Sequence, residues 1–94
     1  MLVQIVISRL REEANREEFV NLTRAMVNWL EHQPGFISYE LYEGERGWAD
    51  RIVWSGPEVA RAANSAFGKT PIGRRMAELV DPNYRGFMGS RLQL

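Results

Sequence analysis

The sequence predicts an α+β domain, with a four-stranded antiparallel sheet carrying helices on one side and the chain order β-α-β-β-α-β. Three observations lead there: a hairpin between Gln33 and Trp54, an amphipathic helical stretch on each side of it, and strand-like segments near both ends. Within the hairpin, Pro34-Gly35 ends what precedes it, and Phe36 to Glu43 is rich in β-branched and aromatic residues. Gly44-Glu45-Arg46-Gly47 then sends the chain back through Trp48 to Trp54.

Val3 to Leu10 reads as the first strand, with Val3, Ile5 and Ile7 on one face and Leu2, Gln4, Val6 and Ser8 on the other. Both faces are substantially apolar, as in a strand covered on two sides. Asn15 followed by Glu18 has the pattern of a helix N-cap, and Phe19, Leu22, Met26, Trp29 and Leu30 recur at helical spacing until His32-Gln33-Pro34. After Trp54, Ser55-Gly56-Pro57-Glu58 opens a second helix, with Ser55 as its cap and Val59, Ala62, Ala63, Ala66 and Phe67 on its apolar face. Gly68 breaks that helix. Thr70-Pro71 restarts it, with Ile72, Met76, Leu79 and Val80 at helical spacing up to Asp81-Pro82, so the crossover is expected in two helical pieces. Tyr84 to Leu92 is the last strand, in which Gly86 and Gly89 mark a bulge or a close backbone approach. Residues 1–94 therefore form a single domain of ferredoxin-like order, without linker or repeat.

Ninety-four residues with 45% hydrophobic content bury only roughly 60 to 65% of the unfolded surface, which leaves a thin core. Twelve basic and twelve acidic side chains cancel, which argues against nucleic acid or an anionic membrane as partner. No cysteine is present, so disulfides and thiolate metal sites are excluded, and the lone His32 cannot build an all-imidazole site. No metal is expected. The stretch Met1 to Ile7 lacks a basic leader, is interrupted by Gln4 and runs into Arg9 and Arg11. It reads as a strand of the domain, with the cytoplasm as the expected location.

Two helices cover one face of the sheet, yet residues of both parities are apolar: Val3, Ile5, Ile7, Tyr39, Leu41 and Phe87 against Val6, Ile52, Trp54, Met88 and Leu92. An uncovered face of that kind is rare on a soluble monomer. A homodimer through the open sheet face, forming a barrel-like pair, is the expectation.

The capped helix, Gln33-Pro34-Gly35-Phe36 leading to Tyr39-Glu40-Leu41-Tyr42, and the strand ending in Val53-Trp54 before Pro57-Glu58 carry a resemblance. Together with the first strand, they resemble the antibiotic biosynthesis monooxygenase-like (ABM) domains of the dimeric α/β barrel superfamily. The resemblance covers nearly the whole chain. It implies a cofactor-independent monooxygenase in which a deprotonated phenol or hydroquinone itself reduces oxygen, and no cofactor is needed. The protein then supplies a dry cavity, a proton acceptor and donors to oxyanionic character. The superfamily also holds isomerases and proteins with no assigned task, so a non-catalytic small-ligand-binding or regulatory dimer is the alternative. In its haem-degrading branch an asparagine ends the first strand and a histidine on the second helix ligates haem. Ser8 and Asn64 stand at those places here, while Trp54 matches; without the axial histidine, haem degradation is not expected.

The resemblance places a pocket between sheet and helices walled by Trp54, with Ser8, Asn64 and Phe67 as substrate contacts. Asn64, Tyr39 and His32 are the candidates for catalysis. Each has a plainer reading: Trp54 as a core aromatic, Ser8 fitting a strand end, Asn64 on a wet helix flank. Tyr39 and Tyr42, on opposite faces of a regular strand, suit a dimer seam, and His32 suits a helix C-terminus. Arg51 or Arg91 could hold an anionic substrate, or pair with Glu40 or Asp50. Arg24, Arg61, Arg74 and Arg75 read as solvated helix faces. Arg85-Gly86-Phe87-Met88-Gly89 faintly echoes an RNA-recognition signature, but it falls on the last strand of a chain with zero net charge, so RNA binding is not expected.

Overall fold

The computed structural model describes all 94 residues. The elements are β1 (Leu2–Ser8), α1 (Arg16–Leu30), β2 (Phe36–Glu43), β3 (Trp48–Trp54), α2 (Pro57–Phe67), α3 (Pro71–Leu79) and β4 (Arg85–Gly89). The strands are antiparallel in the order β2-β3-β1-β4, which is the ferredoxin-like arrangement. No helix is long and apolar enough to cross a membrane.

Local chemistry accounts for most of the boundaries. The Asn15 side chain accepts from the Glu18 backbone N–H at 3.0 Å and so starts α1. Thr70 does the same for α3, accepting from Gly73 N–H at 2.9 Å while its hydroxyl donates to the Phe67 carbonyl at 2.7 Å. Ser55 does not cap α2. Gly56 takes that position with no side-chain bond, and the Ser55 N–H donates to the Gly35 carbonyl at 2.7 Å, tying the end of β3 to the start of β2. The last strand is also shorter than expected, running Arg85–Gly89, its pairing with β1 ending where Gly89 meets Val3.

The registers decide which side chains share a face. Val3 pairs with Val53 and Gly89, and Gln4 pairs with Ile52 and Met88, so like parities align across β3, β1 and β4. Between β2 and β3, however, Tyr39 pairs with Ile52, and odd residues of one align with even residues of the other. Tyr39 and Leu41 therefore lie on the helix side with Ile52 and Trp54, not with Val3 and Ile5. The helix side holds two cores: Leu2, Met26, Leu30, Ile52, Trp54, Ala60 and Ala63, and then Phe19, Trp48 and Leu79. On the open side stand Val3, Ile5, Ile7, Tyr42, Ala49, Val53 and Phe87, among which Phe87 is 62% exposed and Ile7 52%. The molecule is only 19 Å deep in its shortest direction, the thickness of one sheet and one helical layer.

Candidate functional site

Gln4 lies at the middle of the helix side, on a central strand, and is 7% exposed. An amide there must find partners, because a buried polar group without them is destabilising. Its Oε1 accepts from Trp54 Nε1 at 2.9 Å and from Asn64 Nδ2 at 3.0 Å, while its Nε2 donates to Asn64 Oδ1 at 3.0 Å. Asn64 Nδ2 also donates to the Ala60 carbonyl at 2.8 Å, one turn back in α2. The outcome is a closed polar triangle joining β1, β3 and α2, and no buried side-chain polar atom in the protein lacks a partner.

Sequence reasoning brought Trp54 and Asn64 forward as separate candidates and missed Gln4, which it read only as a break in an apolar run. The available signal was a polar amide at a core-facing position of a strand with apolar neighbours. Trp54 is fully buried, edge-on to Phe36 with ring centroids 5.9 Å apart. Phe67 is half-buried and lies against Trp29 at 5.4 Å, packed on the same core. On the far side of Gln4 the cover thins: Met88, its register partner on β4, is 41% exposed. Asn64 is thus reachable along the flank between α2 and β4.

The remaining candidates lie elsewhere. Ser8 is buried but pairs with Trp48, six residues along β1 from the pairing of Leu2 with Trp54, and so roughly 20 Å away. His32 is exposed in the turn after α1, its Nδ1 2.8 Å from the Asn28 carbonyl oxygen. Tyr39 donates its hydroxyl to Asp50 Oδ2 on the helix side. Burial, followed by the nearby Asp50 charge, raises the Tyr39 pKa well above the usual phenol value; burial also raises that of Asp50, against the opposing pull of the Tyr39 hydrogen bond. On the open face Arg51 pairs with Glu40 at 2.9 Å and not with Asp50, which the pleat turns the other way. Arg75 is not merely solvated: it bridges α3 to Glu18 of α1 at 2.6 Å. No group of three His, Asp or Glu side chains is placed to hold a metal ion.

Two hollows, of about 480 and 450 Å³, lie on or beside the open face, and neither reaches Trp54, Asn64 or Phe67. The larger spans the turn end of the sheet between Ile7, Tyr42 and Ala49. The smaller lies between Ile5, Ile7 and Phe87.

Neither a family model nor a curated protein matches the sequence. Solved structures do match. SnoaB, a cofactor-independent oxygenase from Streptomyces nogalater, superposes with a TM-score of 0.85 at 16% identity, covering 99% of this chain and 94% of that one. A second, an antibiotic biosynthesis monooxygenase, gives a TM-score of 0.72 at 17% identity over 99% and 100%. The fold is that of the antibiotic biosynthesis monooxygenases. A conserved protein from Methanosarcina mazei shares the same ABM-like fold at a TM-score of 0.73 and 13% identity, over 98% of this chain and 94% of that one.

Proposed function

We propose that this protein is a cofactor-independent monooxygenase of a small electron-rich phenol or hydroquinone, working as a homodimer closed through the open sheet face. The observation that carries the reading is the Gln4–Trp54–Asn64 triangle, set under α2 in a chain that superposes end to end on an oxygenase needing no cofactor. An asparagine-to-alanine mutant of that oxygenase also superposes, with a TM-score of 0.83 at 16% identity.

The chemistry asks little of the protein. Loss of a proton makes the ring an electron donor to oxygen; one oxygen atom ends on a ring carbon as a carbonyl, the other leaves as water, and the substrate supplies all four electrons. Negative charge develops on the phenol oxygen as the proton leaves. Asn64, anchored by Gln4 and open along the β4 flank, is placed to donate to that oxygen by releasing one of its present acceptors. Oxygen uptake with a panel of hydroquinones and anthrol-like phenols tests the reading. Turnover above the uncatalysed rate should fall about 100-fold in Asn64→Ala, the scale of one lost oxyanion donor; because the change also takes the acceptor from the buried Gln4 Nε2, a urea melt of the variant checks that it is still folded at assay conditions.

One observation favours a second reading. Every donor of the triangle is already paired and Trp54 is sealed from solvent, as a domain that binds a ligand without turning it over would equally have. Uptake at the background rate across the whole panel would establish that reading in place of the first.

A further inference from the structure

The helix side of the sheet is not filled evenly. Asp50, Val6 and Gly86 are register partners across β3, β1 and β4 and form one row on that side. The larger core, around Ile52 and Trp54, lies to one side of the row, and the cluster of Phe19, Trp48 and Leu79 lies to the other. Along the row itself the cover thins. Val6 is on a central strand between the buried Gln4 and Ser8, yet it is only half-buried, and a Cβ on Gly86 would meet nothing within 4 Å. The two-piece crossover explains the gap. Helix α2 stops with Phe67 against Trp29 of α1, and α3 then follows α1, held by Arg75 to Glu18 and by Leu79 to Phe19, so neither lies over Gly86. A groove therefore runs in from the β4 edge over Gly86 and Val6, with Asp50 at its inner end.

The Asp50 carboxylate has one oxygen to spare. Its Oδ2 accepts from the Tyr39 hydroxyl, whereas Oδ1 has no hydrogen-bond partner and is not sealed from solvent. Its neighbours across the strands are Val6 and Leu41, and the buried residue of α1 between Phe19 and Met26 is Thr23. Tyr39 is the only titratable group bearing on it, and burial raises its pKa above the usual carboxylate value, which makes it a stronger base than an exposed aspartate. Gln4 and Asp50 are diagonal neighbours across β1 and β3, roughly 7 to 8 Å apart. An oxygen resting over Val6 thus has Asn64, held by Gln4, on one side and Asp50 on the other. We propose that Asp50 is the proton acceptor for a phenol entering this groove: the phenol O–H bond breaks, the proton passes to Asp50 Oδ1, and the electron pair stays on the phenol oxygen. Tyr39 is a positioning residue, fixing the carboxylate through Oδ2. Pairing of two open sheet faces leaves the groove free, because the groove opens on the helix side. The later fate of the phenolate rests on the oxygenase reading; the proton transfer does not.

4-Nitrophenol, which resists oxidation, tests the site without turnover. Above its pKa, calorimetry in buffers of different ionisation heat should show the wild type taking up about one proton per chain on binding, since phenolate and carboxylate then share one, and Asp50→Asn taking up none. Gly86→Leu, an exposed change into open space, should weaken nitrophenol at least about tenfold by filling the entry, with the urea midpoint not lowered. With the hydroquinone panel, Asp50→Asn should lower kcat/KM about 100-fold and abolish the fall of activity in acid. The inference is overturned by an absence of nitrophenol binding, by equal proton uptake in the wild type and Asp50→Asn, by Gly86→Leu binding as the wild type does, or by unchanged turnover in Asp50→Asn. Proton uptake that Asp50→Asn loses, in a wild type that turns over nothing, would sustain Asp50 as the acceptor and sink the oxygenase reading alone.

Discussion

Asp50 is a carboxyl on the helix side of β3, half-buried, with the Tyr39 hydroxyl as its donor. Burial holds its pKa above the ordinary carboxyl value, so between the unfolded pKa, about 4, and the native one the folded chain binds more protons than the unfolded chain. Stability then falls as pH rises through that window, and the charged group remains a liability above it. Asp50→Asn keeps the shape and an acceptor for Tyr39 without the charge. It should raise the urea midpoint at pH 7, and the advantage should disappear below about pH 4, where both states of the wild type are protonated. An equal or lower midpoint at neutral pH would show that the Tyr39 bond outweighs the burial. Exposed Glu18 and Glu43 run the opposite way: hydrogen bonds from Arg75 and Arg16 lower their pKa values, so their contribution is lost on acidification. The burial of Asp50 was not legible in the sequence, which left Glu40 and Asp50 both open as partners of Arg51. Neighbours in a strand point to opposite faces, and only the register shows that Arg51 meets Glu40 while Asp50 turns inward. Gln4 escaped for a related reason, since its partners lie 50 and 60 residues away.

At the scale of elements, the break between α2 and α3 is built from two glycines that do different things. Gly68 ends α2 with φ −60°, an ordinary helical value, and an added Cβ there would come no nearer than 3.9 Å to any neighbour. Gly73 lies in the first turn of α3 and is buried against the end of α2; a Cβ there would collide with the Phe67 carbonyl oxygen and stand 3.2 Å from Thr70 Oγ1. The two alanine substitutions should therefore have opposite signs. Gly68→Ala should stabilise by about 0.5 to 1 kcal/mol through the unfolded state. Gly73→Ala should destabilise by about 2 kcal/mol or more, since overpacking against backbone cannot relax by a side-chain rotation. Urea melts of the pair check both. Here the sequence was informative: Gly68 as breaker and Thr70-Pro71 as restart are where the expectation put them, because caps and breakers act over three or four residues. The close packing of Gly73 on Phe67 was not readable, since it depends on the angle at which α3 leaves α2.

The whole molecule raises the question of what covers the far side of the sheet. A compact monomer of 10.9 kDa exposes about 5,600 Å² by the usual scaling, whereas this chain exposes 6,668 Å². An excess of that size has a location: the open face, where Ile5, Ile7, Tyr42 and Phe87 lie without a second layer. Only 15 of 94 residues are buried, too thin a core to leave such a face in water without loss of stability. Face-to-face pairing of two sheets about a two-fold axis, with about 800 Å² or more covered on each copy, would remove most of the excess and join the two thin cores into one. Phe87 is the sharpest probe because it is 62% exposed at the middle of β4, touches neither helical core, and pairs with Ile5. In the proposed dimer, Phe87→Asp should halve the mass seen by light scattering at micromolar concentration while leaving the far-ultraviolet circular dichroism intact. If the wild type itself scatters as a single chain, the pairing is wrong, and the apolar face needs another partner.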